Sequence, residues 1–154
     1  MDPSRAGRLR RASVRQEGGF SLIELLVVIL IIGILAAIAI PAFLSQSAKA
    51  YDVSAKSQVR TARTAMEAYV TDHNGSYAGA TLADLIAIEP TLRDTGPAAL
   101  TSVVPNGTTG YTLVSTANDT GDTFTITVTN GVVARTCTAA LGGHPGGCPA
   151  SGNW

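Results

Sequence analysis

Few side chains in this sequence are of the kind that does chemistry. His73 and His144 lie far apart and lack cysteine or carboxylate neighbours at metal-ligand spacing, so they do not compose a catalytic zinc site. Asp119 and Asp122 have carboxylates that a calcium loop would use, yet two acids in a short polar stretch read as turn residues. There is no Ser/His/Asp, Cys/His, phosphate-loop or metal constellation, so the chain reads as a non-enzyme that needs no cofactor and no metal. Two features remain. Cys137 and Cys148 are the only cysteines, and an even count in a small exported domain favours a disulfide. Glu24 stands near the start of a long apolar run, where an ionised carboxylate costs about 2.5–3.5 kcal/mol at a membrane centre and less near an interface.

The surroundings of Glu24 explain why it has to be accounted for. From Leu25 to Ala48 there are 24 residues without a charge, and the segment from Leu22 past Ile40 is long enough for a helix to cross a hydrocarbon layer of about 30 Å. Before it, Met1 to Gly19 carries Arg5, Arg8, Arg10, Arg11 and Arg15 against Asp2 and Glu17, a net +3. The remainder has six basic and nine acidic residues, a net −3, so the 154-residue chain is neutral overall. That balance excludes a strongly basic nucleic-acid binder. The apolar stretch is too long for the core of a secretory signal, and no A-x-A site closes it. Basic residues preceding a span stay in the cytoplasm, which places the C-terminal part outside.

The run Gly18-Gly19-Phe20-Ser21-Leu22-Ile23-Glu24-Leu25-Leu26-Val27-Val28-Ile29 resembles the N-terminal signal of type IV prepilins and the related pseudopilins: a basic leader ending in Gly, Phe next, and Glu four residues further on. The resemblance is strongest from Gly19 to about Tyr77. It implies an α+β type IV pilin fold, in which a long N-terminal helix has an apolar half for membrane and fibre core and an amphipathic half packed on an antiparallel sheet of three to four strands. It implies cleavage between Gly19 and Phe20 by a membrane prepilin peptidase, with methylation of the Phe20 amine. It also implies local melting of the helix from Gly33 to Pro41 in the fibre, and a disulfide loop rimming the sheet.

Residue chemistry supplies reasons for those positions. A freed Phe20 amine can pair with the Glu24 carboxylate of a neighbouring subunit, which offsets the desolvation of both and sets axial stagger. Gly33 and Ala37 make a small-xxx-small pair that allows close helix approach. Pro41 removes a backbone donor and crowds the carbonyl of Ala37, so a kink or loosening is expected there.

Five segments follow: a leader over 1–19, a membrane and polymerisation helix over 20–47, an amphipathic helix over 48–75, a connecting loop over 76–110, and a sheet with its disulfide loop over 111–154. In the amphipathic helix Ala48, Tyr51, Ala55, Val59, Ala62, Met66 and Tyr69 form one stripe at helical period, with Lys49, Asp52, Lys56, Arg60, Arg63 and Glu67 mainly off it. Asn74-Gly75 stops the helix. Within the connector, Thr81 caps a short helix with Asp84 three residues on, and Pro90 ends it. Tyr111–Thr116, Thr123–Thr129 and Val132–Thr136 read as strands joined by Asp119–Asp122 and Asn130-Gly131 turns. Phe124, Ile126 and Val128 face the helix; the threonines between them make a solvent face that needs no ligand.

The function these features suggest is a structural subunit of a type IV pilus serving adhesion, twitching motility or DNA uptake. Its partners would be other copies of itself, the prepilin peptidase, an inner-membrane assembly platform with its ATPase, the membrane as precursor, and nucleic acid only in a DNA-uptake pilus. A pseudopilin of a type II secretion system is the close alternative. A monomeric membrane-anchored binding protein is the unrelated one, and it leaves Glu24 and the Gly19-Phe20 junction without purpose.

Overall fold

The computed structural model describes residues 19–140 and 147–154; most of the expected leader, and His144, lie outside them. The first element is helix α1, Leu22–Asp72, 51 residues with Pro41 inside it. It falls into two compact units divided between Ile38 and Ala39. In the first unit the helix side chains are open to solvent on every face. In the second, α1 is amphipathic. Ala48, Ala55, Val59, Ala62, Ala65, Met66 and Tyr69 are buried. Most of these are small, and they form the helix side of the core. At its end Asn74 (φ 54°) and Gly75 (φ 80°) both take the left-handed conformation, and Gly75 N–H donates to the Val70 carbonyl, closing off the last turn.

Helix α2, Leu82–Ile88, begins as expected at Thr81, whose hydroxyl accepts from Asp84 N–H while the Asp84 carboxylate accepts from Thr81 N–H. A 3-10 turn over Pro90–Arg93 follows. The sheet has four antiparallel strands in sequential order: β1 Ala98–Pro105, β2 Gly110–Ala117, β3 Thr123–Thr129 and β4 Val132–Thr138. Strand β1 lies inside the stretch expected to be a connecting loop. Its alternation is broken by a bulge at Thr101, between Leu100 and Ser102, so the inward set runs Ala98, Leu100 and then Val103, which is only partly buried. On the inner face Tyr111, Leu113, Phe124, Ile126 and Val128 cover the α1 stripe. The outer face is hydroxylated, with Thr112 opposite Thr127 and Thr125 opposite Thr136.

Cys137 and Cys148 form a disulfide. The residues after it return along β4: Cys137 N–H donates to the Gly152 carbonyl at 2.7 Å, Thr136 bridges to Asn153, and Trp154 Nε1–H donates to the Thr136 carbonyl at 2.7 Å. That return covers an edge strand that would otherwise present unpaired backbone groups.

Two carboxylates on α1 fasten the connector and the tail. Glu67 accepts from the hydroxyls of Tyr77 (2.8 Å) and Tyr111 (2.7 Å). Asp52, expected off the buried stripe, is instead wholly buried. Its oxygens accept from Thr120 Oγ1 (2.6 Å) and from Gly147 N–H, and Lys56 Nζ, one turn on, donates to the Gly147 carbonyl. Asp52 stands at helical spacing from Ala48, Ala55 and Val59, so its charge and not the period is what suggests exposure, and the donors that allow its burial come from 68 and 95 residues away. A side chain at Gly147 would bring its Cβ within 2.9 Å of Asp52 Cβ, so the tail approaches α1 as closely as a glycine allows.

Burial first, and then the Glu67 bond and charge, push Tyr77 from its ordinary 10.0 up to about 12, against a smaller lowering by Arg63. Tyr111 is raised further by the same causes. These phenols favour the fold while protonated, so their contribution is fully present below pH 10 and is lost as the pH rises through about 12. Glu67→Gln is expected to move phenolate formation, followed by ultraviolet absorbance, to lower pH; an unchanged titration would contradict this. Asp52→Ala leaves the Thr120 hydroxyl and Gly147 N–H without an acceptor and is expected to cost about 1–3 kcal/mol in denaturant unfolding. A change within error of zero would contradict the clamp.

Candidate functional site

The residues expected to matter most stand at the start of α1. Gly19 and Phe20 precede the helix and are exposed, Phe20 by 85%. Ser21 is the last residue before the helix; its carbonyl accepts from Leu25 N–H at 3.2 Å, and its own N–H donates to Glu24 Oε2 at 2.9 Å. Glu24 therefore satisfies a backbone donor at the N-terminal end of its own helix, where the helix dipole favours negative charge. Sequence reading gave Glu24 only a role between subunits. The signal for this local role was present: Ser21-Leu22-Ile23-Glu24 has the S-x-x-E form of a capping box ahead of an apolar run. Oε1 has no hydrogen-bond partner among the described residues, so one oxygen remains to accept from another group.

Beyond Glu24 the exposed surface is apolar. Leu22, Ile23, Leu25, Leu26 and every large apolar residue on to Leu44 are exposed, and the helix is long and apolar enough to cross a membrane. Gly33 opens a shallow hollow on that surface, bordered by Leu26, Ile29, Leu30, Ile34 and Ala37. A Cβ added at Gly33 would meet nothing within 4 Å. The packing of the single chain therefore does not require this glycine. Pro41 lies further along, and α1 keeps its helical assignment through it despite the missing donor.

Gly19 and Phe20 thus stand just ahead of the first turn, which holds Glu24. Gly33 and Pro41 share their helix roughly two and a half and five turns on. Cys137 and Cys148 belong to the sheet and take no part. Elsewhere, His73 stacks on Tyr69 with ring centroids 3.7 Å apart and places Nδ1 2.8 Å from the Tyr69 carbonyl. Asp119 and Asp122 diverge: Asp119 is exposed, while the Asp122 carboxylate turns in to accept from Ala140 N–H at 2.8 Å. Among the described residues no three His, Cys, Asp or Glu side chains converge in a metal-binding arrangement. What the helix offers chemically is one carboxylate at the head of an exposed apolar surface.

Comparison with known proteins matches the same region. The family described as Prokaryotic N-terminal methylation motif matches residues 14–40. The type IV wide pilus major component PilA4 of Thermus thermophilus is 36% identical over 138 residues, 88% of this chain and 100% of that protein. The type II secretion system core protein G of Pseudomonas aeruginosa is 39% identical over 59 residues, 38% of this chain and 42% of the relative. The type IV major pilin protein PilA of Myxococcus xanthus is 42% identical over 65 residues, which span 42% of this chain and 29% of that relative. No solved structure matches at a comparable level.

Proposed function

The chain belongs to the type IV pilin family, and on that premise we propose that it is a structural subunit of a type IV pilus, held in the membrane through residues 20–47 as a precursor and polymerised through the same helix after cleavage between Gly19 and Phe20. One observation carries the reading: between Phe20 and Ala48 the exposed helix has a single charge, Glu24, and it sits in the first turn beside the proposed cut.

Cleavage creates an ammonium at Phe20 N, next to Ser21 N–H, which already donates to Glu24 Oε2. A fibre core is dry, and an unpaired ammonium there is costly. The free Oε1 of a neighbouring subunit's Glu24 is the acceptor that matches it. The pairing fixes one subunit's axial position against the next, and the Gly33 hollow lets the paired helices approach. Pro41 supplies the point at which the helix can loosen as copies pack.

The partners this requires are other copies of the chain, a prepilin peptidase, and a membrane assembly platform with its ATPase; the fibre would lie outside the cell. Adhesion, twitching motility and DNA uptake are the tasks such a fibre would serve. The pseudopilin reading draws on the match to the secretion core protein G, which is confined to 59 residues. The similarity along the whole of a pilus component favours the pilus.

Intact-mass measurement and N-terminal sequencing of sheared surface material are expected to find a chain beginning with N-methylated Phe20. A chain that keeps its leader in a host with active peptidase, or that is cut elsewhere, would overturn the proposal. A Cβ at Gly19 meets nothing within 4 Å, so replacing Gly19 by a large residue leaves this chain's own packing undisturbed. Accumulation of uncleaved precursor from that variant would therefore report the peptidase's demand for close backbone approach.

A further inference from the structure

Three cations converge on the indole of Trp154. The Arg60 guanidinium carbon lies 5.0 Å from the Trp154 ring centroid, Arg135 lies 5.9 Å from it, and Lys56 Nζ lies 5.9 Å from it and 5.0 Å from that of Phe124. Trp154 is held edge to face on Phe124 and by its bond to Thr136, so the platform is fixed. Arg60 and Arg135 are exposed. Arg135 is paired with Ile126, an inward-facing residue, and so lies on the helix side of the sheet on strand β4. Among the described residues the only ion pair within 4.0 Å is Arg63 with Glu67, so none of the three is in a direct salt bridge. Asp52, one turn before Lys56, is buried and already accepts from Thr120 and Gly147. Each cation gains from the ring face, but three like charges held together still repel.

The opposite edge of the same unit has the opposite sign. Helix α2 packs at β1, and Asp84, Glu89 and Asp94 lie on or beside α2 and the 3-10 turn, with Arg93 as the one cation among them. Each acid uses a carboxylate oxygen in a local cap, Asp84 to Thr81, Glu89 to Thr91 and Asp94 to Gly96. Those caps hold the groups in place and use one oxygen of each. The Thr81 bonds keep Asp84 below its usual carboxylate range.

From Phe20 onward the chain carries six basic and nine acidic residues, a net −3, so identical copies repel unless their charges are placed to complement each other. The geometry points to a docking site: the Lys56–Arg60–Arg135 triad around Trp154 receives the Asp84, Glu89 and Asp94 carboxylates of a second copy of this chain. The two patches lie at opposite edges of one sheet. The contact is therefore heterologous, and repeating it builds an open array. This rests on the subunit reading above and adds a contact between globular units to the one between helices.

The test uses the full chain expressed in its host. One variant carries Arg60→Gln and Arg135→Gln; a second carries Asp84→Asn, Glu89→Gln and Asp94→Asn, which retain an acceptor oxygen for each cap; a third combines them. The yield of sheared filaments is expected to fall about tenfold in either variant and no further in the combination, the non-additivity of groups that pair. Wild-type filaments should dissociate at lower salt than filaments held by apolar contacts alone. Arg60→Lys with Arg135→Lys, which keeps the charges, should assemble normally and so guards against a purely structural loss. Losses that simply add, or filaments of unchanged yield and salt tolerance, would overturn the docking site and leave the subunit reading standing. Normal filaments that lose retention on heparin would overturn it too and give the triad to an external polyanion. Wild-type cells without filaments would overturn both.

Discussion

An apolar helix surface that its own chain does not cover sets the terms for the rest of this protein. Seventeen large apolar side chains from Phe20 to Leu44 are exposed. At about 1.5–3 kcal/mol for each such side chain moved out of water, covering them is worth tens of kcal/mol. A carboxylate within the run costs only a few. Burial therefore decides that the helix is covered, by lipid or by other copies. On the proposed function Glu24 decides how, since a non-directional force of that size has no preferred register of its own.

The second unit is built so that the later turns of the same helix can serve as its core. Small residues on α1 admit the sheet, and Tyr111, Phe124 and Ile126 supply the bulk. The polar fastenings are carried by α1 itself. Asp52 reaches the β2–β3 turn and the tail, Gln58 Nε2 donates to the Asp94 carbonyl at 2.8 Å, and Glu67 holds Tyr77 and Tyr111. Each ties a segment with little regular structure to a rigid element, which is how a connector and a disulfide loop hold their places over a small core.

What could be read in advance followed from period and from local chemistry. The α1 stripe, the Thr81–Asp84 cap, the Asn130-Gly131 turn and strand β3 are all written in residues within a few positions of each other, and they appear as expected. Three features were not legible for different reasons. Strand β1 is short on inward apolar residues and bulged at Thr101. The burial of Asp52 depends on donors that only the fold brings near. The Trp154 triad joins two turns of a helix, an edge strand and the tail, and no spacing along the chain announces it. The Ser21–Glu24 cap differs from these, because its S-x-x-E motif is local and legible in the sequence.

On the proposed function Glu24 serves assembly and not anchoring. Replacing it with Val makes the span more apolar, so membrane insertion should be as good or better, and cleavage after Gly19 should continue. A Phe20 ammonium in the fibre core would then have no carboxylate partner. The direct measurement is electron microscopy of sheared filaments beside a membrane immunoblot for wild type and Glu24→Val. The account expects filaments to vanish or nearly so while processed subunit accumulates in the membrane; filaments at wild-type yield from Glu24→Val would contradict it.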